Sequence, residues 1–192
     1  TAKHKALRVA FCRHMLRAFD NQTPPAMMFS DEKQFDTNDN VKSWNWVKKN
    51  EKVDTRTIDQ GAVRVTVWGC IGVGFRLLHF VDGVITKASY LTLLQPHLPA
   101  IREYQRQHQR SMFQQDNARP HCGSGKWLEK KGVKTLECDW PSLSPDLSPI
   151  EQLWSILNKA VKARGPWGPT ELRSFILEEF NRIPQGVIDS LV

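Results

Sequence analysis

The sequence has no long hydrophobic run and few cysteines. A transmembrane helix needs about 20 predominantly apolar residues, and no stretch of the 192-residue chain approaches that length. The four cysteines are widely spaced and form no Cys-x-x-Cys pair, which argues against a zinc site and against a disulfide framework. We therefore expect a soluble protein with free thiols in a reducing compartment, and no membrane partner.

Several chemical signatures are also missing. The chain has no glycine-rich phosphate loop, no Ser/His/Asp order of a nucleophilic enzyme and no histidine pair spaced to bind a metal. It has no internal repeats and no low-complexity tract, so its length suits one domain with a full core. These absences exclude several common classes of enzyme and of repeat protein.

Positive charge is present in excess. The chain carries 27 Lys and Arg against 20 Asp and Glu, a formal net charge of +7. A basic domain attracts polyanions and gains affinity by releasing their counterions, so double-stranded DNA is the natural partner, although simple solubility also explains such a charge. Basic residues crowd the amphipathic segment 1–22, which we expect to be a helix that packs on the core or turns a basic face to DNA.

Hydrophobic periodicity predicts the secondary structure. Apolar residues with strand-like spacing predict four strands in meander order, at 26–36, 43–48, 64–74 and 77–81. Short strands are predicted at 112–115 and 133–137, and helices at 89–108, 119–131, from 149 onward and 170–182. The helix that starts at 149 has an apolar stripe, which consists of Ile150, Leu153, Trp154, Leu157 and Val161. Prolines 96 and 99 should kink the first of these helices or shift its start. A meander followed by alternating helices and strands predicts an α/β fold, with a mixed central sheet flanked by helices.

Three carboxylates stand at the ends or starts of predicted core elements. Strand alternation places Asp31 on the more apolar face of the first strand with Met27 and Phe29, and Glu32 on the other face. Asp116 directly follows the strand at 112–115, and Glu151 lies in the first turn of a helix. A hard divalent cation such as Mg²⁺ prefers oxygen ligands, so a cluster of three acids predicts a metal site. Two such ions can activate an attacking water or hydroxyl and stabilise the leaving oxygen of a phosphodiester.

Each acid also has a purely structural explanation. Glu151 stands three residues after Ser148, which is the spacing of a capping box. Asp116 could form a turn or an N-cap before the next helix. Asp31 could be a solvent-facing acid at a strand end, and Glu32 competes with it for any catalytic role. The joint placement of the three acids favours a shared site.

Four motifs closely resemble the catalytic domain of the Tc/mariner superfamily of DNA transposases. They read SDE at 30–32, VWGC at 67–70, FQQDNARPH at 113–121 and WPSLSPDLSPIEQLW at 140–154. The resemblance covers nearly the whole chain. The 34 residues between Asp116 and Glu151, with glutamate as the third acid, look like the Tc-like branch rather than the mariner branch proper, which ends in aspartate.

The resemblance implies an RNase H-like fold and a DDE triad of Asp31, Asp116 and Glu151 that binds two Mg²⁺ or Mn²⁺ ions. Such enzymes cut transposon ends by hydrolysis and use the freed 3′-hydroxyl to attack target DNA, typically at a TA dinucleotide. They act as dimers or higher assemblies on paired ends. The substrate and the spread of the family imply action in the nucleus.

The resemblance also implies a domain organisation. Residues 1–22 would end a linker from an N-terminal helix-turn-helix region that this sequence does not include, and 23–192 would form the catalytic domain. Without that region we expect weak DNA binding with no preference for transposon ends. Residues 50–62 occupy the place of the family's clamp loop, where only Gly61 is a glycine.

Contacts to the DNA backbone are predicted for Arg119, His121, Lys126, Lys130, Lys159 and Lys162. His121 could instead pack in a helix start, and Trp44, Trp46 and Trp167 could contact a base or the backbone. Two other functions remain open. One is a domesticated, non-catalytic DNA-binding module, which would have no need of the three acids. The other is a cellular RNase H-like nuclease that does not join strands, which the 146–154 motif disfavours.

Overall fold

A four-stranded mixed sheet lies at the centre of the computed structural model, which describes residues 1–19, 26–37, 63–136, 138 and 140–192. The strands are β1 (Met27–Asp36), β2 (Arg64–Gly72), β3 (Phe75–Val81) and β4 (Met112–Gln114). Their order across the sheet is β3-β2-β1-β4. β2 is antiparallel to both β1 and β3, whereas β4 runs parallel to β1.

Helices account for most of the remaining described residues. They are α1 (Ala2–Phe19), α2 (Lys87–Leu94), α3 (Leu98–Gln107), α4 (Ser124–Lys130), α5 (Pro149–Ala163), α6 (Pro169–Arg182) and α7 (Gln185–Leu191). Short 3₁₀ turns occur at Gln95–His97, Arg119–His121 and Pro145–Leu147. Within the described ranges, no helix combines the length and the apolar character that a membrane span requires.

Alternate side chains of the sheet enter two separate cores. On one face, Phe29, Phe35 and Val67 pack with α5, α6 and α7. On the other face, Met28 and Trp68 pack with α2, α3 and α4. Because helices cover both faces, the predicted α/β sandwich with a mixed sheet is confirmed.

The helix α5 is fixed firmly over the sheet. Its five predicted apolar positions are all buried: Ile150, Leu153, Trp154, Leu157 and Val161. Pro149 begins the helix, where a missing backbone N–H has no cost. The first turn of α5 therefore has a defined place beside β1.

Proline and glycine set the boundaries of the other helices. The helix predicted at 89–108 is divided into α2, a 3₁₀ turn and α3, as Pro96 and Pro99 suggested. The helix predicted at 119–131 starts as a 3₁₀ turn and becomes α-helical only at Ser124. The reason is Gly123, which adopts the left-handed region at φ 81° and interrupts the helix.

Other predicted boundaries also differ from the structure. The helix predicted over 1–22 is seen as α1, and residues 20–25 lie outside the described part. Residues 133–136 contribute a single bridge, from Phe113 to Thr135, instead of the strand predicted there. The strand predicted at 43–48 and the loop at 50–62 also lie outside the described residues. The helix α7 has no counterpart among the predicted elements.

Candidate active site

Asp31 lies within β1 on the face that α5 covers. The antiparallel register places it opposite Gly69 of β2. The indole Nε1 of Trp154 donates a hydrogen bond to Asp31 Oδ2 at 3.0 Å. As predicted, Asp31 shares a face with Met27 and Phe29, which both belong to the core beneath α5.

Asp116 follows β4 and makes a tight turn. The backbone N–H of Ala118 donates to Asp116 Oδ1 at 3.0 Å, which is the pattern of an Asx turn. The parallel pairing of β4 with β1 brings this turn to the cleft that Asp31 also lines. The turn considered for Asp116 is therefore present, and the acid also faces the cleft.

Glu151 lies in the first turn of α5. Ser148 occupies the predicted N-cap position, but its side chain makes no capping hydrogen bond, so the capping-box explanation of Glu151 does not hold. Glu151 lines the same cleft, of about 450 Å³, as Asp31 and Asp116. Three separate elements thus bring the three acids to one cleft.

Negative charge is not balanced at the Asp31 end of this cleft. Burial and the charges of Glu151 and Glu32 raise the pKa of Asp31 to about 7, although the hydrogen bond from Trp154 favours its charged form. A buried carboxylate among like charges is stabilised either by a proton or by a cation. This end of the cleft therefore favours cation binding.

A buried histidine balances the charge at the Asp116 end. His121 Nδ1 lies 2.7 Å from Asp116 Oδ1, and Nε2 lies 3.1 Å from Glu32 Oε1. Burial lowers the pKa of His121, but the hydrogen bonds to the two carboxylates outweigh it and raise the pKa to about 10. The bond from His121 in turn lowers the pKa of Asp116. At neutral pH an imidazolium therefore links Asp116 to Glu32.

The donor set of the cleft fits a hard divalent cation such as Mg²⁺, which prefers carboxylate oxygens. In the part of the chain that the structure describes, no three His, Cys, Asp or Glu side chains by themselves form a group that could hold an ion. Magnesium usually takes one or two protein carboxylates and completes its shell with water and substrate phosphates. An open cleft lined by three acids suits that mode of binding.

Four of the basic residues predicted to contact DNA are exposed: Arg119, Lys126, Lys130 and Lys159. Lys126 lines a second cleft, which adjoins the first at Asp116. These four side chains are accessible from solvent, and their contacts to DNA remain a prediction.

The other candidate DNA contacts have different surroundings. Lys162 is half-buried and already has an interaction partner. His121 is buried with both ring nitrogens facing carboxylates, so the structure places it beside the acids instead of on the surface. Trp167 is 91% exposed. Trp44 and Trp46 lie outside the described residues.

Two features of the cleft were not predicted. One is the pairing of His121 with Glu32, which only the tertiary fold brings together. Strand alternation did place Glu32 on the face opposite Asp31. The other feature is Leu143, which lines the cleft with a left-handed φ of 56° and a side chain that is 78% exposed. Such a backbone is strained for leucine, and no local sequence signal marks it.

Comparison with known proteins places the chain in a family. Residues 26–171 match a family described as DDE superfamily endonuclease. The chain is 33% identical to the transposable element Tc3 transposase of Caenorhabditis elegans, over 100% of this chain and 58% of that protein.

Two solved structures have a similar fold. One is the Mos1 transposase paired-end complex with left transposon end, with a TM-score of 0.73 and 15% identity, over 100% of this chain and 59% of that chain. The other is the mariner Mos1 paired end complex with Mg, with a TM-score of 0.64 and 18% identity, over 94% of this chain and 55% of that chain. The chain thus spans less than two thirds of the length of these proteins.

The structural likeness confirms the predicted RNase H-like fold, and the family match includes all three acids of the cleft. The chain is similar to the Tc3 transposase and, in fold, to the mariner Mos1 transposase. It belongs to the DDE superfamily endonucleases.

Proposed function

We propose that the chain is the catalytic domain of a cut-and-paste DNA transposase. It would hydrolyse phosphodiester bonds at transposon ends and transfer the freed 3′-hydroxyl into target DNA, with TA as the expected target. The observation that carries this proposal is the convergence of Asp31, Asp116 and Glu151 on one cleft. The relatives described above are transposases by name, which supports the same activity.

The three acids would hold two Mg²⁺ or Mn²⁺ ions. Bound ions supply activation of the attacking oxygen and stabilisation of the leaving oxygen. The negative charges of Glu151 and Glu32 near Asp31 favour the binding of a cation there. One of the similar Mos1 structures is a paired end complex with Mg, which supports this choice of metal.

The histidine beside Asp116 would prepare that acid for its role. His121 and the Ala118 N–H both engage Oδ1 of Asp116, so these bonds leave Oδ2 for a ligand. The positive charge of His121 also keeps Asp116 ionised at neutral pH. His121 would therefore orient Asp116 and keep it ionised. The burial of His121 argues against contact with DNA.

Double-stranded DNA would be the substrate, bound through its phosphates. The net charge of +7 favours a polyanion, and the exposed Arg119, Lys126, Lys130 and Lys159 could contact the backbone. We further propose that two or more copies act on paired transposon ends, in the nucleus. The similar Mos1 paired-end complex is a complex with a transposon end, which supports this substrate.

Metal-dependent cleavage of a supercoiled plasmid tests the proposal. Replacing Asp31, Asp116 or Glu151 with Ala should lower the rate by at least about 100-fold, because a lost ligand removes several kcal/mol of transition-state stabilisation. The matched control is Glu129→Ala, an exposed acid lining the second cleft near Asp116, which should keep activity.

The same assay separates the alternatives. Cleavage that survives in all three triad variants would overturn the proposal. DNA binding without any cleavage by the wild type would indicate a non-catalytic module. Cleavage without joining of a supplied 3′-hydroxyl end would indicate a nuclease.

A further inference from the structure

Trp154 connects the helix that carries Glu151 to the strand that carries Asp31. It lies one helical turn after Glu151 on α5, and its side chain is 1% exposed. Its Nε1 donates to Asp31 Oδ2 at 3.0 Å. One indole thus links the elements that supply two of the three acids.

The indole can reach Asp31 only because β2 has a glycine at this point. A Cβ added at Gly69 would lie 2.5 Å from Trp154 Cη2 and 2.8 Å from Cζ2, far inside van der Waals contact. The ring has little room to move away, because it also packs edge-on against Phe35 at a centroid distance of 6.3 Å. Gly69 is moreover the register partner of Asp31 itself.

The hydrogen bond has a directional consequence for Asp31. It engages Oδ2 and not Oδ1, so it restricts the rotation of the carboxylate about its Cβ–Cγ bond. A neutral N–H donor also satisfies one oxygen of this half-buried acid without adding a positive charge that would compete with a cation. The hydrogen bond thereby orients the acid without placing a positive charge beside it.

We propose that Trp154 is a positioning residue for metal binding by Asp31. Gly69 is required because a larger residue there would clash with the Trp154 indole. This inference rests on the proposed function. Trp154 acts through Asp31 and through the placement of α5, without touching the substrate. Gly69 belongs to the VWGC motif and Trp154 ends the motif at 140–154. Both motifs would then contribute to metal binding as well as to core packing.

Calorimetric titration of Mn²⁺ at pH 8 tests the inference without requiring DNA cleavage. Trp154→Phe keeps the buried ring and removes the donor, and should weaken Mn²⁺ binding about 3- to 10-fold, by analogy with other residues that orient metal ligands. Gly69→Ala should weaken it at least as much by displacing the indole.

The matched control is Trp68→Phe. Trp68 is also fully buried, but on the other face of the sheet, and its N–H has no hydrogen-bond acceptor among the described residues. The Mn²⁺ affinity of this variant should stay within about twofold of the wild-type affinity, because the N–H that it removes orients no metal-binding side chain. Wild-type affinity in Trp154→Phe would overturn the positioning role and leave the catalytic proposal intact. A wild type that binds no Mn²⁺, even with a short DNA duplex present to supply phosphate ligands, would overturn both.

A second measurement detects metal binding by the wild type itself and uses either of two variants only to assign one peak, in case one of them fails to fold. The indole N–H resonance of Trp154 in a ¹H–¹⁵N spectrum should shift on addition of Mg²⁺, while that of Trp68 should not. Selective loss of one indole peak in Trp154→Phe, or a shift of that peak in Asp31→Asn, gives the assignment. An unchanged Trp154 resonance at saturating Mg²⁺ would contradict the inference.

Discussion

Asp31 and Asp116 line one cleft, yet their surroundings have opposite effects on their charge. Around Asp31, burial and two other acids raise the pKa to about 7. Around Asp116, the bond from His121 lowers the pKa. One end of the cleft therefore carries its own counter-charge, and the other end gains stability when an external cation binds. The comparison shows two ways in which crowded acids can be stabilised in one cleft, by an internal imidazolium or by an external cation.

Removing the internal counter-charge should have the largest effect on stability. His121→Ala leaves Asp116 and Glu32 without their shared partner, and should cost about 3 kcal/mol of unfolding free energy, as breaking a buried ion pair does. Urea denaturation at pH 7 measures this cost. Adding Glu32→Gln should restore part of it, since one uncompensated charge is removed. A loss below about 1 kcal/mol would show that the pairs of His121 with Asp116 and Glu32 contribute little to stability.

Neutralising each acid in turn should give effects of opposite sign. Asp31→Asn should stabilise the metal-free protein by about 2 kcal/mol at pH 8, since it removes a half-buried charge that faces other acids. Asp116→Asn should instead destabilise it by about 1 kcal/mol, a modest figure because this carboxylate is partly exposed. Both variants should be inactive. Equal signs in denaturation experiments would contradict the comparison.

The gain from Asp31→Asn should depend on pH in a defined direction. The folded state keeps a proton on Asp31 up to about pH 7, whereas unfolded aspartate loses it near pH 4. Folded protein thus binds more protons between these values, and the Asp31 contribution to stability falls as pH rises through them. The difference between variant and wild type should be largest above pH 7 and vanish near pH 4. A constant difference across this range would exclude Asp31 as its source.

The smallest effect concerns Leu143, an exposed residue that lines the cleft. Leu143→Gly should stabilise the protein by up to about 1 kcal/mol, because glycine relieves the left-handed strain and little burial is lost. Leu143→Ala is the control, since alanine keeps the strain, and its stability should stay near that of the wild type. Thermal unfolding measures the stability of both variants. Equal stability of the two would show that the left-handed backbone at Leu143 is not strained.

The sequence was sufficient for the parts of the fold that depend on local pattern. Strand alternation predicted β1 and the face of Asp31, and the apolar stripe of α5 predicted all five of its buried positions. The motif at 113–121 and that at 140–154 pointed to the family before any contact was known. These features depend on residues close together in the chain.

The remaining features depend on contacts between distant residues. The bonds from His121 to Glu32 and from Trp154 to Asp31 span 89 and 123 positions, and no period in the sequence reports them. The late start of α4 depends on the left-handed backbone of Gly123, which the spacing of apolar residues does not predict. The capping box expected at Ser148 had the right spacing, but the structure does not form it.

Binding of Mn²⁺ at pH 8, measured by calorimetry with and without a short DNA duplex, tests the shared carboxylate site most directly. The wild type should bind, and Asp31→Asn, Asp116→Asn and Glu151→Gln should each lose most of that binding while remaining folded. Glu129→Gln should bind like the wild type. If the wild type and all three site variants bind Mn²⁺ equally, or if the wild type binds none even with DNA present, the three acids do not form a common metal site.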